Sequence, residues 1–283
     1  MQKILIIWAL SAVSIWSCTE KTTDIPTTTP SSKDTTQVDT SLLEAPDVVL
    51  HESNKPVFFD YTSTGCPGCG SWGAPTFENL SKEYKDKIVP IAVHIKYGDP
   101  MITTTSTEIA ANRVGQRYTP QLWVNSTNAM VLAGSSINGT ATLQNIRTQL
   151  DQYIAEDVQI AVGVSSASDE EQVKVNFKHQ AKTNLEGEYY VGIYLMENKI
   201  FAPQSSSASN PTEHNYVIRA SKASSFGTKI SAEHLETDAV FEASHTFQIE
   251  ESWQKENLFA TIIVWKKEGD RYVVINANNN LVY

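Results

Sequence analysis

The spacing of apolar residues changes character near residue 158, and that change sets the first expectation of architecture. Before it, short apolar runs alternate with amphipathic stretches. Val57 to Thr62 is predicted to be a buried strand, followed by a helix that begins near Cys66 or at Gly73 and runs to about Tyr84. Ile88 to Ile95 is a second strand, apolar enough to lie in a sheet covered on both faces. Thr107 to Tyr118 reads as helix, and Gln121 to Asn125 and Ala129 to Ala133 read as a hairpin joined by Ser126-Thr127-Asn128. Gly134 closes this unit. From Thr140, a plausible N-cap, Leu143, Ile146, Leu150, Tyr153 and Ile154 recur at helical spacing and predict a last amphipathic helix.

From Val158 onward the period becomes two. Val173, Val175 and Phe177 alternate with Lys174, Asn176 and Lys178, while Phe241, Ala243, His245, Phe247 and Ile249 alternate with mainly polar neighbours. Leu258 to Trp265 and Arg271 to Ala277 add strands on either side of the turn signal Lys267-Glu268-Gly269-Asp270. About seven short strands point to an antiparallel β-sandwich, with the Ser-rich segment Gln204 to Asn210 as a loop. The expected fold is therefore an α/β unit, residues 46–157, followed by an all-β sandwich, residues 158–283.

The amino terminus has a different composition. Lys3 precedes an apolar stretch from Ile4 to Trp16, too short for a bilayer that needs about 20 apolar residues but suited to a secretory signal. The stretch ends in Ile15-Trp16-Ser17-Cys18, which resembles a bacterial lipoprotein box with Cys18 as the lipidated residue, although Trp16 stands where a small residue is usual. The alternative is an ordinary secretory signal with a chance cysteine. Residues 18–45, rich in Thr, Ser and Pro, cannot bury enough surface to fold and read as a tether of roughly 25 Å between membrane and body.

Charge narrows the partners. The 22 basic and 32 acidic residues give a net charge of −10, which argues against nucleic acid or an anionic membrane surface as the main partner. Membrane association is expected instead through lipid on Cys18, and the protein partners through the envelope or extracellular space.

The candidate chemistry lies at Cys66-Pro67-Gly68-Cys69, directly after the first strand. Two thiols with two residues between them serve either redox exchange or half of a zinc site. Zinc needs four ligands, and only His94 has a suitable position to join the pair, so no metal and no cofactor is expected. His51, His179, His234 and His245 read as isolated surface or strand residues.

Asp60 lies six residues before Cys66, and Tyr118-Thr119-Pro120-Gln121-Leu122-Trp123-Val124 leads into the hairpin. With the strand, CxxC, helix, strand order, these positions resemble the thioredoxin fold from about Val48 to Asp157. The resemblance implies a buried acid at Asp60, a cis bond before Pro120 and a Cys66–Cys69 disulfide pair. In that frame Cys66, at a helix amino end, is the attacking thiol, and Cys69 resolves the mixed disulfide. Asp60, with a raised pKa, accepts the Cys69 proton, while Thr119 and Pro120 receive substrate backbone. Gly65 stands where that family usually has Trp, and Pro75 comes six residues after Cys69, one later than the usual kink. The alternative is a plain structural staple, which would contribute only about 2 kcal/mol for so small a ring.

Lipoprotein box, tether, thioredoxin-like unit and β-rich tail together resemble the Omp-twenty-eight family of outer-membrane lipoproteins. Glu213-His214-Asn215-Tyr216-Val217-Ile218-Arg219-Ala220 looks like that family's His-Asn motif, with His214 and Asn215 read as a hydrogen-bonding pair at a strand edge in preference to a ligand site. The resemblance implies an outer-membrane, lipid-anchored location, periplasmic or surface-facing. Two functions remain open: thiol-disulfide exchange on envelope proteins, or non-enzymatic surface binding in which the cysteine pair is structural.

Overall fold

The computed structural model describes residues 43–96 and 98–281. The signal segment, Cys18 and nearly all of the tether lie outside the described residues.

The first strand, β1 (Val57–Thr62), is buried along its whole length, as its run of β-branched and aromatic side chains requires. It pairs in parallel with β2 (Val89–His94) and antiparallel with β3 (Gln121–Val124). Between β1 and β2 the chain is helical from Pro67. A π turn over Cys69–Gly73 leads into α1 (Ala74–Tyr84). The extra residue before Pro75 is accommodated there, because a π turn holds one residue more than an α turn. Phe77 and Leu80 of α1 pack on the sheet with Ile109 of α2 (Thr104–Ala111) and with Ile146 and Leu150 of α3 (Gly139–Ala155). Burial of each such side chain stabilises by about 1.5–3 kcal/mol.

Several boundaries differ from expectation for local reasons. The helix expected over Thr107 to Tyr118 starts earlier, at Thr104, because Thr103 and Ser106 form a reciprocal capping box. It ends at Ala111, and Gly115 beyond it has φ +74°, outside helical space. The last helix is capped by Asn138, whose side chain accepts from the Ala141 amide, rather than by Thr140. The hairpin from β3 turns at Asn125, φ +49°, so that β4 is only Thr127–Asn128. The residues beyond it form a separate small ribbon of β5 (Leu132–Ala133) and β6 (Ser136–Ile137).

The second half supplies two packed sheets. β7 (Ile160–Ser168), β8 (Gln172–Ala181) and β14 (Val240–Gln248) form a three-stranded antiparallel sheet. Its alternating inner residues Val173, Val175 and Phe177 bury against β9 (Glu188–Glu197) and β15 (Leu258–Glu268). β16 (Arg271–Asn279) pairs with β15, and the short ribbon β10 (Ile200–Ala202) with β11 (Thr212–His214) brackets the Ser-rich loop. β12 (Val217–Ser221) and β13 (Thr228–Lys229) both pair with β9.

One sheet of the sandwich does not stop at its own edge. β12 also pairs in parallel with β2, Val217 opposite Ala92, and the Ala92 amide donates to the Tyr216 carbonyl at 2.8 Å. The result is a nine-stranded sheet ordered β16-β15-β9-β12-β2-β1-β3-β4, with β13 beside β9. Composition and period predict the two sheets of the second half but not this junction, which rests on a single parallel register.

Candidate functional site

The loop after β1 carries Ser63, Thr64 and Gly65 to the helix start. The Cys66 amide donates to the Ser63 carbonyl at 3.1 Å, closing a turn that sets Cys66 just before Pro67. The Cys69 and Gly70 amides return to the Cys66 carbonyl, and the Cys69 amide also donates to Cys66 Sγ at 3.2 Å. A backbone dipole is thereby aimed at the sulfur expected to attack. The disulfide expected between the two is not formed here, and both are free, buried thiols.

Asp60, on β1, is 1% exposed, and its Oδ1 has no hydrogen-bond partner. Burial, reinforced by the nearby charge of Glu78 and opposed by a hydrogen bond from Thr62, pushes its pKa up to about 8. Cys69 is pushed up to about 12, first by burial, then by its hydrogen bond with Cys66 and by the charge of Asp60. Glu78 is itself raised by burial, despite accepting from Asn215 Nδ2 at 3.2 Å. The arrangement therefore holds a mostly protonated acid beside a strongly protonated inner thiol at neutral pH.

The Thr119–Pro120 peptide is cis, and the Pro120 ring lies directly on the helix start. A β-carbon at Gly73 would sit 2.6 Å from Pro120 Cβ, and one at Gly68 would sit 3.1 Å from Pro120 Cδ. At Gly73 the ring leaves no room for a side chain, and at Gly68 a β-carbon would make a tight contact with it. Thr119 is half-buried, with its Oγ1 enclosed and unpartnered. Next in the chain, the buried Gln121 side chain accepts from Arg113, whose guanidinium stacks 4.1 Å over the Tyr61 ring. Gly68, Trp72, Pro120, Ile137 and Gly139 line an apolar groove of about 270 Å³ on this flank.

The opposite flank is walled by the second half of the chain. The Ser205 amide donates to the Thr64 carbonyl at 2.8 Å, and Gln204 Nε2 donates to the carbonyls of Ser63 and Cys66 at 3.3 and 3.2 Å. Gly70 has no side chain because the Ser205 carbonyl would lie 2.1 Å from its β-carbon. Beneath the loop, Asp99 Oδ2 accepts from the Thr64 amide and from His94 Nδ1, both at 2.8 Å. Burial pushes the Asp99 carboxyl up, but His94 and the Met101 and Thr64 amides hold it below its usual value. His94 is thus engaged away from the cysteines, and no group of three His, Cys, Asp or Glu able to hold a metal occurs among the described residues.

The structure brings Asp60, Cys66, Cys69 and Pro120 to one place, whereas Cys18 lies outside the described residues. Gln204, Ser205, Asp99 and Trp72 were not singled out in the sequence. Only Trp72 had a local signal, three residues after Cys69. The pair His214–Asn215 divides its contacts. Asn215 accepts from the Lys199 amide, as a strand-edge residue does, while His214 is buried 5.5 Å from the His94 ring. His179 and His234 are not isolated as expected, for their rings lie 6.3 Å apart around Phe241.

No family model and no characterised protein matches the sequence. Among solved structures, HBP35 of Porphyromonas gingivalis matches over 81% of this chain and 76% of that chain, with TM-score 0.63 at 15% identity. That likeness establishes a shared fold. A domain of the outer membrane lipoprotein Omp28 from Porphyromonas gingivalis matches over 43% of this chain and 86% of its own, at TM-score 0.31 and 17% identity, a likeness too slight to carry an argument.

Proposed function

We propose that this protein is a lipid-anchored cell-envelope protein whose thioredoxin-like half exchanges thiols and disulfides with envelope proteins. The observation that carries the reading is the helix start at Cys66, with the Cys69 amide on its sulfur, a largely uncharged Asp60 nearby and the ring of Pro120 against Gly68 and Gly73. Envelope placement rests on the lipoprotein box ending in Cys18 and on the Thr-rich tether.

In the reducing direction the Cys66 thiolate attacks one sulfur of a client disulfide and expels the other as a thiolate. Cys69 then loses its proton, with ionised Asp60 as acceptor, and attacks Cys66 Sγ, releasing the second client thiolate. The client disulfide gains two electrons and two protons, and the pair becomes Cys66–Cys69 disulfide, to be restored by an external dithiol. The same steps reversed oxidise a client dithiol. The groove at Trp72, Pro120 and Ile137 offers the open approach to the pair, since Gln204 and Ser205 occupy the other side.

Cys69→Ser in cells should trap clients as mixed disulfides on Cys66, and purified protein should reduce insulin with dithiol present. Absence of both results defeats the exchange reading. Cys18→Ala should release the protein from the membrane fraction and abolish labelling by palmitate.

A second reading, a surface-binding protein with an inert cysteine pair, is favoured by one observation: Cys66 is only 5% exposed. Under that reading a Cys66→Ser, Cys69→Ser double variant keeps every binding phenotype.

A further inference from the structure

At the sandwich end, away from the cysteines, the inner face of β8 and β14 meets β9, β13 and the turn at His234 around a cavity of about 150 Å³. Four rings wall it. His179 stacks on Phe241 with centroids 5.3 Å apart, His234 lies 4.9 Å from Phe241, and Phe177 lies 6.2 Å from Phe241. Val191 and Ile230 add aliphatic surface.

One feature is costly unless something occupies this space. Lys222 is half-buried with its Nζ 4.7 Å from the centre of the Phe177 ring, and it has no carboxylate partner among the described residues. Lys229, the other lysine at the cavity, is already paired with Glu188. A partly desolvated ammonium without a counter-ion is a standing invitation to an anion.

Charge and size then select the ligand. Boxes of aromatic rings also take quaternary ammonium groups through their ring faces. Here, however, no carboxylate lines the cavity and two lysines do, in a chain whose net charge is −10. A cation is disfavoured and an anion with a flat apolar body is favoured. A cavity of this volume is of the size that admits one benzene ring. We propose that this cavity binds a monocyclic aromatic carboxylate, its ring between the side chains of Phe177, His179, His234 and Phe241 and its carboxylate on Lys222.

The test is a titration of the full chain with benzoate at constant ionic strength, followed through the ring-proton resonances of His179 and His234. Saturable shifts are expected, with benzylammonium and benzyl alcohol binding about tenfold more weakly or worse. Lys222→Met should weaken benzoate about tenfold and leave benzyl alcohol within about twofold. Thr228→Trp, at an exposed position that lines the cavity, should obstruct all three. The proposal is overturned if benzylammonium matches benzoate, if hexanoate binds more tightly than benzoate, or if Lys222→Met leaves benzoate affinity unchanged. None of these readouts depends on the cysteines.

Discussion

A carboxyl group enclosed as Asp60 is links site chemistry to stability through pH. Its ordinary value is 3.8 and its folded value about 8, with burial as the first cause. Between those values the folded protein keeps a proton that the unfolded chain has released, so stability falls as pH rises across this window. At pH 7 the penalty approaches about 4 kcal/mol, three pH units at about 1.4 kcal/mol each, as an upper bound. Asp60→Asn should therefore gain stability relative to the native chain between pH 4.5 and pH 8, and denaturant melts at both values measure this. An unchanged difference would mean that Asp60 ionises freely. The same variant should slow release of mixed disulfides formed by Cys66, because Cys69, pushed up to about 12, loses its proton acceptor. Asp60, Cys66, Cys69 and Pro120 are legible from sequence because strand, helix start and hairpin fix their spacing locally. Gln204 is not, since its contacts span 138 and 141 residues.

At the level of elements, the start of the cysteine helix is shaped by what lies against its glycines. Gly70→Ala would drive its β-carbon into the Ser205 carbonyl, 2.1 Å away, and push the Ser-rich loop off the site. Gln204→Ala removes two hydrogen bonds to the same turn at little steric cost. Each bond contributes about 0.5–1.5 kcal/mol, so losing both should raise the iodoacetamide reactivity of Cys66 by between about fivefold and about 150-fold, read in a Cys69→Ser background. Equal rates in the native and altered loops would show that the loop does not shield the thiol. Gly73→Ala acts on the other flank, against Pro120, and should destabilise by about 1–3 kcal/mol in a urea melt through overpacking. The sequence placed β1 and the Tyr84 end of the cysteine helix, but misplaced both ends of the next helix and the cap of the last. Thr103 and Asn138 act as caps through side-chain geometry, and the period of apolar residues does not distinguish them from Thr107 or Thr140.

Across the whole molecule, the two halves are joined by more than the β2–β12 pairing. Trp265, on β15, is 1% exposed, lies 6.4 Å from the Phe59 ring of β1 and donates from Nε1 to the Tyr194 hydroxyl at 2.9 Å. Val274 and Ala277 of β16 belong to the same cluster as Val57, Phe59 and Ile91. None of this is visible to periodicity, which reports that a residue is buried but not against which partner. A core shared in this way couples the melting of the cysteine site to that of the sandwich. Trp265→Ala should cost about 3–5 kcal/mol, as removal of a fully buried aromatic does. It should also move two probes together in denaturant: alkylation of Cys69, on the α/β side, and the ring resonances of His179, in the sandwich. Two separated transitions in the native chain, with only one displaced by Trp265→Ala, would show that the halves unfold independently despite their continuous sheet.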